Sequence, residues 1–195
     1  MKSENIKLII GLGNPGILYE NTPHNIGNHF VKWFFDKALK EKIGNKIIKW
    51  KNNKNLSAKI ASLEIHDSKI ILALPSTFMN LSGNAIQKIL NFYHIDSKEI
   101  IIAHDDADLV SGNFKLTYSC SSAGHKGIES TIHHLGTQNF WRLKIGVRPE
   151  NLNESLYRIK AGDFVIKKMT IKNRKIISDS YLKMLEELIR WIKNT

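Results

Sequence analysis

The chain reads as an α/β sandwich. Three observations point there. Short β-branched apolar runs alternate with segments of 3.6-residue apolar spacing. The first of those runs, Leu8 to Ile10, enters a Gly/Asn/Pro turn, Gly11-Leu12-Gly13-Asn14-Pro15-Gly16. Polar clusters then recur directly after strand ends and helix starts, at the edge where such folds bind ligands. A length of 195 residues fits one domain, at most with a small appendage, and is enough chain for a proper core.

Taken in order, strands are predicted at 6–11, 57–65, 69–74, 100–104, 113–119 and 142–148, with further candidates near 47–50 and 155–159. The first helix spans 27–42, with Phe30, Trp33, Phe34 and Leu39 on its apolar stripe. A second spans 81–93 through Ile86, Ile89, Leu90 and Tyr93, and a third spans 125–135. The last is predicted at 175–193, with Ile177, Tyr181, Leu185, Leu188 and Ile192 on one face. Residues 149–174 hold few apolar side chains and are predicted as an irregular, mobile segment.

Composition narrows the class. Hydrophobic content of 42% and charged content of 24% are ordinary for a soluble globular protein. The sequence shows no signal-peptide pattern and no 18-residue apolar run, so no membrane association is expected. Cys120, the single cysteine, cannot form an internal disulfide, and a reduced cytoplasm is the natural compartment. Twenty-nine basic against 18 acidic residues give a net charge of +11. Eight lysines lie between Lys37 and Lys59 against one acidic residue, Glu41, and a second cluster holds Lys167, Lys168, Lys172, Arg174 and Lys175. Such an excess favours a polyanionic partner. A Lys/Asn/Ile-rich composition throughout the chain explains it equally well.

Gly11, Gly13 and Gly16 satisfy the spacing G-x-G-x-x-G, but a dinucleotide site is disfavoured. Pro15 offers no N–H to a phosphate. The helix begins only near Gly27, too late to place its N-terminus on a pyrophosphate.

Four clusters carry chemistry. Asn14 and His24 flank the first turn, and histidine is the side chain suited to move a proton near neutral pH. Pro75-Ser76-Thr77-Phe78-Met79-Asn80 joins a strand to a helix. There Phe78 and Asn80 could stack on and hydrogen-bond a ligand, or Asn80 could simply cap the helix. His104-Asp105-Asp106-Ala107-Asp108 follows an apolar strand. Its carboxylates could bind a hard cation, orient a catalytic histidine, or form a polar turn. Neighbouring carboxylates on a strand point to opposite faces, which counts against the cation. Ser121-Ser122-Ala123-Gly124-His125-Lys126-Gly127 leads into a helix. Its start suits an anion or a carbonyl, although a flexible Ser/Gly loop accounts for it too. No activated Ser, Cys or Lys nucleophile stands out, so a histidine base acting on water is the simplest chemistry.

At these residues the chain resembles the bacterial peptidyl-tRNA hydrolase family. The likeness covers roughly residues 5–165. It rests on Gly11-Leu12-Gly13-Asn14-Pro15-Gly16, Tyr19, Thr22-x-His24-Asn25-x-Gly27, Thr77-Phe78-Met79-Asn80-x-Ser82-Gly83, His104-Asp105-x-x-Asp108-Leu109, Gly124-His125-x-Gly127 and Arg142-Leu143-x-Ile145-Gly146, in that order. The resemblance implies a monomeric, single-domain, three-layer α/β/α sandwich with a mixed, mostly parallel twisted sheet. It implies hydrolysis of the ester between a peptide and the 3′-terminal ribose of tRNA, without cofactor, metal or obligate protein partner. By position, His24 would activate water, Asp105 would hold its imidazole, and Asn14 would contact the acyl group and select N-blocked substrates. Tyr19, Phe78 and Asn80 would bind the peptide and terminal adenosine, and His125 would line the same crevice. Lys126 would face the ligand, and Lys115 and Lys144 would contact tRNA phosphate. Pro23 stands where the family carries Arg, Lys126 where it carries Asn, and Ser119-Cys120-Ser121-Ser122-Ala123 where its loop is glycine-rich. A catalytically silent RNA-binding module and a small-molecule hydrolase are the rival readings.

Overall fold

The computed structural model describes residues 5–150 and 166–194. Seven strands form one sheet: β1 (Asn5–Gly11), β2 (Asn45–Asn53), β3 (Ala58–Ile65), β4 (Ser68–Pro75), β5 (Ile100–Val110), β6 (Phe114–Tyr118) and β7 (Trp141–Arg148). Their spatial order is β2-β3-β4-β1-β5-β7-β6. The β1–β4, β1–β5 and β5–β7 pairs are parallel, and β2–β3, β3–β4 and β6–β7 are antiparallel. The mixed sheet is therefore evenly mixed rather than mostly parallel, with the parallel pairs gathered at its centre. Helices α1 (Ile26–Glu41), α2 (Ser82–Tyr93), α3 (Lys126–Leu135), α4 (Ile171–Asp179) and α5 (Tyr181–Asn194) cover it. None is long and apolar enough to cross a membrane.

The layers follow from strand periodicity. Ile9 of β1 packs in one core with Phe30 and Phe34 of α1 and Met184 and Leu188 of α5. Its neighbours Leu8 and Ile10 join Ile86 and Ile89 of α2 and Ile128 of α3 in the other. The central strands are thus apolar on both faces, as parallel strands between helices must be.

Three expectations need correction. The strand that begins at Ile100 runs on to Val110. Its apolar run ends at Ala103, but backbone pairing with β7 continues through His104↔Lys144, Asp105↔Ile145 and Asp106↔Gly146. The helix predicted over 175–193 is two helices broken at Ser180, whose hydroxyl donates to the Ile177 carbonyl at 2.6 Å in competition with the backbone ladder. The segment predicted as irregular already turns helical at Ile171, because Thr170 caps it by accepting from Asn173 N–H at 3.2 Å. The 47–50 candidate is a full edge strand, and the 155–159 candidate lies outside the described residues.

Close backbone packing builds the floor of the site. A Cβ on Gly27 would lie 2.1 Å from the Ala103 carbonyl oxygen, and one on Gly11 would lie 2.6 Å from the Gly27 oxygen. Only glycine lets the start of α1 meet the ends of β1 and β5 this closely. Leu12 N–H donates to Ala103 O and Asn28 N–H to Leu12 O, each at 3.0 Å. The junction lies at the carboxyl edge of the parallel strands, where α/β sheets bind ligands.

Candidate active site

His24 stands on a 3-10 turn, Pro23–Asn25, just before α1. Pro23 takes the first position of that turn, where a missing N–H costs nothing. Its substitution for arginine therefore fits the local backbone. His24 Nδ1 lies 2.9 and 3.0 Å from the two Asp105 oxygens. A carboxylate only accepts, so Nδ1 carries the proton and Nε2 keeps its lone pair. The imidazole side chain is 13% exposed and the carboxylate 2%.

Asp105 also receives His125 Nε2 at 2.9 Å. The other nitrogen of that ring, Nδ1, accepts from Gly127 N–H at 3.2 Å and Ile128 N–H at 3.3 Å, and so caps α3. Burial alone would raise the Asp105 carboxyl, but His125 and His24 beside it hold it well below the usual carboxylate range. His104 packs its ring 4.6 Å from that of His125. Its Nδ1 meets the Asp105 carbonyl at 2.7 Å, and its buried Nε2 has no partner among the described residues. Burial pushes His104 well below the ordinary histidine range, opposed by Asp105.

The acidic cluster does not form one cation site. Asp105 faces the histidines, whereas Asp106 pairs with Lys144 at 3.2 Å and accepts from Asp108 N–H at 2.8 Å. Ligand atoms of His24, Asp105 and His125 do lie within 4.8 Å of one another, close enough to hold a metal ion. The hydrogen bonds oppose this use. With its Nδ1 lone pair committed to two N–H groups, His125 must carry its proton on Nε2, which leaves no lone pair there for a metal.

Asn14 is held through both its backbone and its side chain. Its N–H donates to Asn25 Oδ1 at 2.7 Å, and its carbonyl accepts from Asn25 Nδ2 at 3.0 Å. Its own Oδ1 accepts from Met79 N–H at 2.8 Å. The Nδ2 donor is left without a partner among the described residues. The Met79 bond ties the β1 turn to the β4–α2 junction. Across that junction Tyr19 and Phe78 meet edge to face at 6.2 Å. Phe78 is half exposed. Asn80 is exposed and unpartnered among the described residues, and it does not cap α2, whose N-cap is Leu81.

The basic residues fall in three places. Lys115 and Lys144 are direct cross-strand partners on β6 and β7, next to the strand that carries Asp105. Lys126 is exposed at the start of α3, where Glu129 holds it at 3.0 Å. The lysines from 37 to 59 lie on α1, β2 and β3, toward the opposite edge of the sheet.

Two contributors escape sequence reasoning. Asn25 appears there only as a neighbour of His24, yet it clamps the Asn14 backbone. Asn21 accepts Arg174 Nη1 on its Oδ1 at 2.7 Å and Met169 N–H on its carbonyl at 2.8 Å. The basic cluster at 167–175 is thereby docked beside the histidine turn.

Fold and site together define an α/β protein with a hydrogen-bonded histidine–carboxylate pair and a tethered asparagine amide at the carboxyl edge of its sheet. A family model described as peptidyl-tRNA hydrolase matches residues 8–195, and the chain belongs to that family. It is 36% identical over 190 residues to a peptidyl-tRNA hydrolase of Oceanobacillus iheyensis, covering 96% of this chain and 93% of that one. It is 35% identical to the Aquifex aeolicus protein of the same name, covering 96% and 91%. Among solved structures, the peptidyl-tRNA hydrolase of Acinetobacter baumannii superposes with a TM-score of 0.82 at 29% identity, covering 99% of this chain and 91% of the other.

Proposed function

We propose that this chain hydrolyses the ester joining a peptide, or an N-blocked amino acid, to the 3′-terminal ribose of tRNA. The observation that carries the mechanism is the His24–Asp105 pair, with Nδ1 held by the carboxylate and Nε2 left as a lone pair. His24 Nε2 takes a proton from water as the water oxygen bonds to the ester carbonyl carbon. Asp105 stabilises the imidazolium so formed. The tetrahedral intermediate collapses with cleavage of the bond to the ribose oxygen, and His24 returns the proton to that oxygen. Free tRNA and a peptide carboxylate leave.

The other residues divide the substrate between them. Asn14 presents Nδ2 to the acyl group, its Oδ1 being spent on Met79. An amide donor held in one orientation suits recognition of an N-blocked peptide carbonyl. Asn80 polarises the ester or holds the water, and Tyr19 and Phe78 give the terminal adenosine and peptide an apolar surface. Lys115 and Lys144 meet backbone phosphate without reading sequence, and Lys126 offers a cation at the start of α3. In this proposal the protein works as a cytoplasmic monomer in translation, without cofactor, metal or obligate protein partner.

The test is release of N-blocked amino acid from acyl-tRNA in EDTA, beside an unblocked aminoacyl-tRNA control. Rapid cleavage of the blocked ester alone is expected. Tight tRNA binding without cleavage would leave an RNA-binding module instead.

A further inference from the structure

We infer that His125 serves the reaction as a positioning residue, acting through Asp105 in one locked tautomer rather than as a ligand of the substrate. The inference rests on the hydrolase mechanism above for its kinetic consequence, but the tautomer lock stands on geometry alone.

N-caps are ordinarily the side-chain oxygens of Ser, Thr, Asp or Asn. Here an imidazole nitrogen fills that place, accepting two backbone N–H groups of α3. A proton on Nδ1 would break both bonds and set a cation against the positive end of the helix dipole. Nδ1 therefore stays bare. Its one hydrogen stays on Nε2, where Asp105 Oδ1 accepts it. Both nitrogens are consumed inside the protein and the side chain is 7% exposed, so neither is left to bind substrate.

The consequence falls on His24. Asp105 Oδ1 accepts from both imidazoles, while Oδ2 accepts from His24 alone. Sharing fixes the carboxylate between two rings 5.2 Å apart. It also spreads the negative charge over an additional N–H, so Asp105 stabilises a His24 imidazolium less than an unshared carboxylate would. The other charged or titratable neighbours are His104 against the ring, the Asp106–Lys144 pair on β5 and β7, and Lys126 with Glu129 on α3. None of these hydrogen-bonds to His125. Removing His125 should let His24 hold its proton to higher pH, which moves the acid limb of kcat/KM upward.

Two variants separate this from a structural role. In His125→Asn the side-chain oxygen can still cap α3 but is too short to reach Asp105 as well. In His125→Ala both bonds are lost. The acid limb is expected to move to higher pH in both variants, with KM changed less than about twofold and the melting temperature lowered only in the alanine variant. A raised KM with an unmoved limb would make His125 a substrate ligand and overturn the inference, and so would a lowered melting temperature with neither kinetic change. Nitrogen-15 spectra of the His125 ring in the wild-type protein provide a readout that needs no turnover. They should show a bare Nδ1 and a protonated Nε2 in the folded protein at about pH 7. A protonated Nδ1 there would refute the lock even if the hydrolase activity is confirmed.

Discussion

The two walls of the crevice are built differently. The first, residues 11–28, is tightly held at its two ends, 11–14 and 22–28, and exposed only around Ile17 and Leu18. Asn25 clamps the Asn14 backbone from both sides, Met79 fixes the Asn14 side chain, and a Cβ on Gly11 or Gly27 would strike backbone. The second, residues 119–127, is partly exposed and holds Ser119 and Ala123 in the left-handed region, each at φ 48°. It is anchored from beneath by buried Arg142, whose Nη1 reaches Cys120 Sγ at 3.0 Å and the Ser121 carbonyl at 2.7 Å, and at its end by His125. Two of the departures from the family pattern named above, the Ser119–Ala123 loop and Lys126, fall on this wall. The third, Pro23, falls on the first wall at a position that proline suits. Under the proposed function, the proton transfer assigned to His24 needs closely placed atoms, whereas the phosphate contact offered by a cation such as Lys126 tolerates several side chains.

The contrast can be broken most severely at His24. His24→Ala should lower kcat by at least about 10²-fold, the scale of general base catalysis, while leaving tRNA affinity nearly unchanged. Single-turnover cleavage of N-blocked acyl-tRNA checks it. Asn25→Ala leaves the buried N–H and carbonyl of Asn14 without their partner. It should cost about 1–3 kcal/mol of stability, read by chemical denaturation, and should reduce discrimination against unblocked aminoacyl-tRNA. On the basic strands, Lys115→Ala and Lys144→Ala should each weaken tRNA binding and reduce the slope of log K against log salt by about one. An unchanged slope in both would move the phosphate contact elsewhere. The smallest effect belongs to the second wall. Ala123→Gly relieves a left-handed alanine and should raise stability by about 1 kcal/mol without lowering turnover. A lowered turnover would show that this loop is as tightly specified as its counterpart.

The sequence made visible what local pattern records. The apolar runs of β1, β4 and early β5, the stripes of α1, α2 and α3 apart from Leu39, which is exposed, and the polar clusters at their ends stand where expected. Pairing and through-space contact were invisible. β2 is an edge strand of interleaved Lys, Asn and Ile with two register shifts against β3, so no clean alternation marks it. β5 runs past its apolar segment because β7 supplies the hydrogen bonds. Lys115 and Lys144 stand 29 positions apart in the chain, and only the β6–β7 register makes them neighbours. The site followed the same rule. His24, Asn14 and Asp105 were legible from residue type and motif. The Asn25 clamp, the Asn21 dock and the capping nitrogen of His125 depend on contacts that composition does not encode, and the alternative that Asn80 caps a helix fell away only when Leu81 was seen in that place.

The Asn21 dock bears on how the protein is born. Arg174 and Asn21 are 153 residues apart in sequence, and β1 waits for β4 and β5 to find its parallel partners. During synthesis the histidine turn emerges early, but the carboxylate it needs and the helix that fastens it arrive much later. Such non-local closure is slow to nucleate. A nascent copy thus carries the histidine turn unassembled through most of its own elongation, apart from the contacts that hold it in the folded protein.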